Sequence, residues 1–257
     1  MSSSSYHSDI SSDSIICNGR FKVLERLGNG WFGTVYSVMD TQKGCKCALK
    51  VAANDPDAIQ QLNVEFNVLK KLQNQPGIIR VYGEGVLDIN GHKGILMDLK
   101  DYNLQEYICD KGVTLDATGT ADIAIKLLDH LEMLHDNGVI HSDIQMNNVL
   151  VELCHNQERS GTPNLYLIDF GMALQVEKEQ YCGMQWVNNR KDDLVSLAEM
   201  FSDINEASSQ TLGYTLIEFM QYVYTLGDDE NPDYERCKQI FRKFTTPRLP
   251  TLCIPSH

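Results

Sequence analysis

Apolar side chains change their period part-way along this chain, and few folds accommodate such a change. Phe21–Leu27, Thr34–Met39 and Cys45–Val51 are short strand-like runs separated by turn residues. A helix follows, because Asp55 can cap it, Pro56 fits its first turn, and Leu62, Phe66, Leu69 and Leu72 recur at helical spacing, with Glu65 among them. Two more strand candidates surround Val81–Gly83 and Gly94–Met97, and Lys100–Asn103 reads as a polar connector. Beyond it helices dominate. The clearest runs from Ala117 to Asp136, with Ile123, Leu127, Leu128, Leu131 and Leu134 on one stripe and Asn137-Gly138 ending it. Val149–Val151 and Leu165–Ile168 read as a hairpin with a long polar loop, Cys154–Asn164, and helical patterns resume near Asp193–Met200, Tyr214–Tyr224 and Tyr234–Phe244. A mostly β first part joined to a mostly helical remainder predicts an α+β fold in two lobes.

Charge and composition narrow the function classes. The 257 residues carry 35 acidic against 22 basic side chains, a formal net charge of −13, so a phosphate backbone would meet repulsion and no nucleic-acid partner is expected. No apolar run approaches the roughly 20 residues needed to cross a bilayer, and Met1–Ser5 lacks the features of a secretory signal. The expectation is an intracellular protein, cytoplasmic or nuclear, with no membrane partner. Eight cysteines at 17, 45, 47, 109, 154, 182, 237 and 253 include no Cys-x-x-Cys pair, so neither a zinc ribbon nor a disulfide scaffold is indicated.

Gly28-Asn29-Gly30-Trp31-Phe32-Gly33 matches GxGxxG, a pattern that by itself serves tight turns as readily as ligands. A dinucleotide fold needs these glycines to open a helix, with an acidic residue roughly 20 positions on. Here the glycines lead into the strand-like Thr34-Val35-Tyr36, and the residue at that distance is Lys50, inside an apolar strand. A glycine-rich hairpin followed by a strand lysine describes a flap over nucleotide phosphates with a cation reaching them. His141-Ser142-Asp143-Ile144-Gln145-Met146-Asn147-Asn148 comes after the long helix, and Asp169-Phe170-Gly171 follows Leu165–Ile168. Phosphoryl transfer needs oxygens for Mg²⁺, a cation for phosphate and a carboxylate near the attacking hydroxyl, and these segments supply them in order.

In that constellation, over Phe21 to Phe244, the chain resembles the protein kinase superfamily. The Ser-rich composition of Met1–Ser14 cannot repay the entropy of ordering and reads as a disordered tail, bounded at residue 18. The resemblance implies a bilobal fold after it: an N-lobe over 19–99, a reduced C-lobe over 100–247 and a C-terminal tail over 248–257. It implies ATP and Mg²⁺ as cofactors, Lys50 paired with Glu65, Asp143 as catalytic base, and Asn148 and Asp169 as metal ligands. Gly28, Asn29, Gly30, Trp31, Phe32 and Gly33 would form the flap, with Leu27 beside it also binding nucleotide. Val35, Ala48 and Leu150 would sandwich adenine, with Met97 as gatekeeper and Asp98, Leu99 and Lys100 as hinge. Arg190-Lys191-Asp192-Asp193-Leu194-Val195-Ser196-Leu197 and Glu230–Tyr234 with Gln239-Ile240-Phe241 resemble the casein kinase 1-like and vaccinia-related group, in which Asp193 would hold the catalytic-loop backbone.

The chain departs from that pattern at several places. Gln145 stands where Ser/Thr kinases carry a lysine, and an amide donates a hydrogen bond without supplying a positive charge. Ser142 replaces an arginine that receives activation-loop phosphate, and Gly171–Arg190 is short and contains neither Ser nor Thr. The expectation is a Ser/Thr protein kinase of weak or specialised activity acting on a protein substrate, its oligomeric state left open. The alternative is a pseudokinase that binds nucleotide or a protein partner as scaffold or inhibitor. A kinase of small molecules is a third reading, ranked below both.

Overall fold

The first lobe is built on one antiparallel sheet. Its strands are β1 (Ile15–Ile16), β2 (Phe21–Gly30), β3 (Gly33–Asp40), β4 (Cys45–Ala52), β5 (Val81–Ile89) and β6 (His92–Asp98), in the spatial order β1-β2-β3-β4-β6-β5. This computed structural model describes residues 10–30, 32–89, 91–153, 162–175, 190–207, 212–227 and 230–245. In β4 the side chains alternate between two apolar clusters. Cys47, Leu49 and Val51 join Phe21, Val23, Val38 and Leu96 on one face, while Ala48 and Ala52 join the larger cluster on the other. Lys50 shares the second face, and that parity aims it at the interior cleft.

Helix α1 (Pro56–Lys71) interrupts the sheet between β4 and β5. Asp55 caps it, accepting the backbone N–H groups of Asp57 at 2.9 Å and Ala58 at 3.3 Å, and Pro56 occupies the first turn. Its buried side is Ala58, Leu62, Glu65, Phe66 and Leu69, so the one acidic member of that face goes inward with the apolar ones. At the far end Gly77, at φ +74°, lies against the His130 ring, where a Cβ would come within 2.4 Å. Only glycine permits that approach.

Beyond β6 the chain passes through β7 (Tyr102–Asn103) and a helical turn at Glu106–Asp110 into α2 (Ala117–Asp136), β8 (Val139–Ile140), the hairpin β9 (Val149–Glu152) and β10 (Asn164–Leu167), and β11 (Leu174–Gln175). The polar connector thus carries a short strand, β7 pairing with β9. Helices α3 (Arg190–Ala207), α4 (Gly213–Thr225) and α5 (Tyr234–Arg242) complete the second lobe. Phe201, Phe219 and Phe241, one from each, are fully buried, with ring centroids 5.9 and 5.2 Å apart. One apolar cluster runs from Ala48 in β4 through α1 and α2 to Phe241. It joins the lobes behind the cleft.

One boundary changes. The expected disordered tail over 1–18 ends too late, because β1 lies within it. Ile16 is 3% exposed, Ser14 accepts the Val23 N–H at 2.9 Å and Asp13 donates its N–H to Val23 at 2.9 Å. Averaged over the eighteen Ser-rich residues of that segment, composition hides two adjacent β-branched side chains, Ile15 and Ile16, that suit a sheet edge. Residues 1–9, Trp31, most of the Cys154–Asn164 loop, residues 176–189 and the expected tail over 248–257 lie outside the described residues. Among the described residues no helix is long and apolar enough to cross a membrane.

Candidate active site

Three elements distant in sequence converge on Lys50. Its Nζ lies 2.6 Å from Glu65 Oε2 of α1 and 2.8 Å from Asp169 Oδ1, which precedes a short 3₁₀ turn at Phe170–Met172. Asp169 takes a left-handed backbone conformation at φ 63°, and that turn sends Phe170 into the core while the carboxylate faces the cleft. Burial opposes charge on Lys50, but the two carboxylates outweigh it and raise its pKa above the ordinary lysine value. Burial also opposes charge on Asp169, and the ammonium outweighs it there too, holding that carboxyl below its usual pKa. The result is an ammonium favoured in its charged form and held on two sides.

Lys50 opens into a cleft of about 540 Å³ between the lobes, within the range that accommodates a nucleotide-sized ligand. Its walls include Leu27, Gly28, Asn29, Gly30, Phe32 and Gly33 from the β2–β3 hairpin, Val35 and Ala48 from the sheet, and Met97, Asp98, Leu99 and Lys100 from the segment joining the lobes. Leu150, Asn148 and Asp169 line the other side. Every described member of the expected nucleotide-binding set is therefore on this surface; Trp31 is outside the described residues. Gly33 packs its backbone on β4, where a Cβ would fall 2.2 Å from the Val51 carbonyl oxygen, so the hairpin lies flush on the strand that carries Lys50.

Asp143 stands beside the cleft, held from both ends of its loop. Asn148 donates from Nδ2 to its Oδ2 at 2.7 Å and to its backbone carbonyl at 3.0 Å, and Gln145 donates from Nε2 to its Oδ1 at 2.9 Å. His141 lies beneath. Its Nε2 is 3.0 Å from the Ile168 carbonyl, an acceptor, so Nε2 carries the proton, and Nδ1 accepts the Asp143 N–H at 3.3 Å. Burial pushes the His141 pKa down, which keeps that neutral form. Asp193 of α3 accepts the His141 N–H at Oδ2 and the Ser142 N–H at Oδ1, both at 2.8 Å.

The geometry has a counterpart among known proteins. A model of the protein kinase domain matches residues 21–191, two thirds of the chain. The chain belongs to the protein kinase family. Myosin-IIIa of Mus musculus is 26% identical over 168 residues, covering 63% of this kinase and 10% of that relative. Serine/threonine-protein kinase pakE of Dictyostelium discoideum is 26% identical over 166 residues, 62% of this kinase and 16% of the relative. Nucleosomal histone kinase 1 of Drosophila melanogaster is 24% identical over 221 residues, 80% of this kinase and 36% of the relative. The chain therefore spans between a tenth and about a third of the length of these relatives. The family uses ATP and a divalent metal in general.

The kinase cleft also has walls that sequence reasoning missed: Asp101, Tyr102, Asn103, Glu106, Asn147 and Ile168. Glu106 and Asn103 form a reciprocal pair, each side chain accepting the other's backbone N–H, at 3.0 and 2.8 Å. The spacing Asn-x-x-Glu was a usable signal, since it is the pattern of a helix-start box. Lys100 shows a second omission. Its ammonium lies 2.7 Å from Glu152 and 3.8 Å from Asp98, over the Tyr166 ring, and thereby ties the segment joining the lobes to β9 and β10.

Proposed function

We propose that this kinase domain transfers the γ-phosphoryl of ATP to Ser or Thr hydroxyls of a protein substrate, at a weak or specialised rate, and that it falls in the casein kinase 1-like and vaccinia-related group. The observation that carries the reading is the junction of Lys50, Glu65 and Asp169 at 2.6 and 2.8 Å inside a nucleotide-sized cleft. An ammonium held by two carboxylates is expensive to build without a polyanion to meet.

In this reading Val35, Ala48 and Leu150 enclose the adenine, Met97 closes the back, and Asp98, Leu99 and Lys100 border its polar edge. The Leu27–Gly33 hairpin covers the phosphates and Lys50 faces the α and β groups. The residues present also fit a hard divalent cation. The Asn148 amide nitrogen donates to Asp143, which leaves its amide oxygen as the group that could ligate a cation, and Asp169 is held ionised. Asn148 and Asp169 would hold Mg²⁺, which supplies neutralisation of phosphate charge when bound. Asp143 receives the proton of the attacking hydroxyl, its carboxylate oriented by Asn148 and Gln145.

One observation favours the second reading, a pseudokinase that binds nucleotide or a protein partner. Gln145 points its amide at Asp143, so both carboxylate oxygens are met by neutral donors where a cation would otherwise stand. The deciding experiment is γ-³²P transfer from ATP with Mg²⁺ to the protein itself and to casein, with Asp143→Ala in parallel and Mg-ATP thermal shift as the binding control. The variant is expected to lose transfer by about 10²–10⁴-fold while keeping the thermal shift. Equal transfer by variant and wild type removes Asp143 as base, and a thermal shift with no transfer in either selects the pseudokinase.

A further inference from the structure

The last helix among the described residues reaches the catalytic loop through the His135 imidazole. His135, in the final turn of α2, has both ring nitrogens engaged: Nδ1 meets the Tyr234 hydroxyl at the start of α5, and Nε2 lies 2.8 Å from Asp193 Oδ2. Asp193 in turn accepts the N–H groups of His141 and Ser142. His135, Asp193 and Tyr234 are 2, 1 and 4% exposed, so the three groups are shielded from bulk solvent.

The chemistry of these groups sets the direction of each bond. Asp193 is held ionised, since the hydrogen bond from His135 and the neighbouring N–H groups outweigh its burial, and an ionised carboxylate only accepts. His135 Nε2 therefore carries a proton. Burial raises the Tyr234 pKa above its ordinary value, which keeps the phenol protonated. Among the described residues its hydroxyl bonds only to His135, so its proton goes to Nδ1 and the imidazole is the neutral Nε2–H tautomer. Ser142 lies at φ 66°, a conformation a serine keeps only when its surroundings hold it, and its N–H is one of the two that Asp193 grips.

We propose that Tyr234 is a positioning residue for the loop 141–148: its hydroxyl selects the His135 tautomer that donates to Asp193, and so holds His141, Ser142 and the following Asp143 in place. The proposal rests on the reading of that loop as catalytic for its consequence in turnover, though not for its structural part. Tyr234 stands 99 residues from His135, so the loop is braced by an element remote in sequence.

Tyr234→Phe removes one oxygen and keeps the ring. Imidazole ¹⁵N spectra should show His135 as the Nε2–H tautomer in the wild type and as a mixture in Y234F. Amide hydrogen exchange at His141 and Ser142 should quicken about tenfold, the scale of one lost buried hydrogen bond, while Leu127–Leu131 in α2 stays unchanged. Where transfer is measurable, kcat should fall several-fold with the KM for ATP unchanged. His135→Gln supplies a fixed donor and acceptor without tautomers, so adding Y234F to it should leave His141 and Ser142 exchange as in H135Q alone. An unchanged His135 tautomer in Y234F overturns the proposal. So does exchange that quickens uniformly through α2 and α5, which marks a role in packing only. Absence of phosphotransfer in the wild type counts against the proposed function, and the tautomer and exchange results still decide this inference.

Discussion

In the proposed reaction, Gln145 is the residue on which the rate would turn. Its amide donates to Asp143 at 2.9 Å, so it orients the carboxylate as a longer cationic side chain would, yet brings no charge to the transferring group. Gln145 is exposed, and a lysine there would meet solvent at little cost to the fold. Gln145→Lys is therefore expected to raise kcat by about tenfold or more without changing Mg-ATP affinity, read from steady-state transfer to casein. Lys50 presents the opposite case. With Glu65 and Asp169 both on its ammonium, Lys50→Ala leaves two facing carboxylates and should weaken Mg-ATP binding by at least about tenfold in a thermal-shift titration.

At the scale of elements, the site depends on how strands and helices are terminated and joined. Asp55 and Pro56 begin α1 where Glu65 comes round to the buried face, two and a half turns on. Both residues and the apolar stripe were legible in the sequence, as were α2 from Ala117 to Asp136 and the β9–β10 hairpin, because capping and periodicity depend on neighbours within a few positions. Strand β1 was not legible, since two isoleucines carry no period and their partner is in β2. Ile16→Ala is expected to cost about 2 kcal/mol, because the side chain is 3% exposed and sits in the cluster with Phe21 and Val23. Urea unfolding measures it. A change within 0.5 kcal/mol would return β1 to the tail.

Across the whole molecule, the cluster behind the cleft joins the lobes and encloses titratable groups as well as apolar ones. His130 on α2 is 8% exposed, its Nδ1 has no hydrogen-bond partner among the described residues, and burial lowers its pKa from 6.5 to about 4. The unfolded chain therefore binds a proton near pH 6.5 that the folded protein refuses until about pH 4. Stability is full above pH 6.5 and declines as pH falls toward 4, by up to about 3 kcal/mol from this group. Urea midpoints at pH 7.5 and 5 should differ more for the wild type than for His130→Gln, which carries no titrating ring. An identical pH dependence in both would show that His130 titrates normally.

The sequence by itself determined the order of strands and helices and the chemical types at Lys50, Glu65, Asp143, Asn148 and Asp169, because those follow from local spacing and side-chain chemistry. Tertiary structure decided which of these groups meet. Lys50 finds Asp169 at a separation of 119 residues, Gln145 turns to Asp143 rather than to the cleft, and Tyr234 reaches His135. Those contacts join elements through a shared core whose packing no local window contains, so they appear only once the lobes close on it.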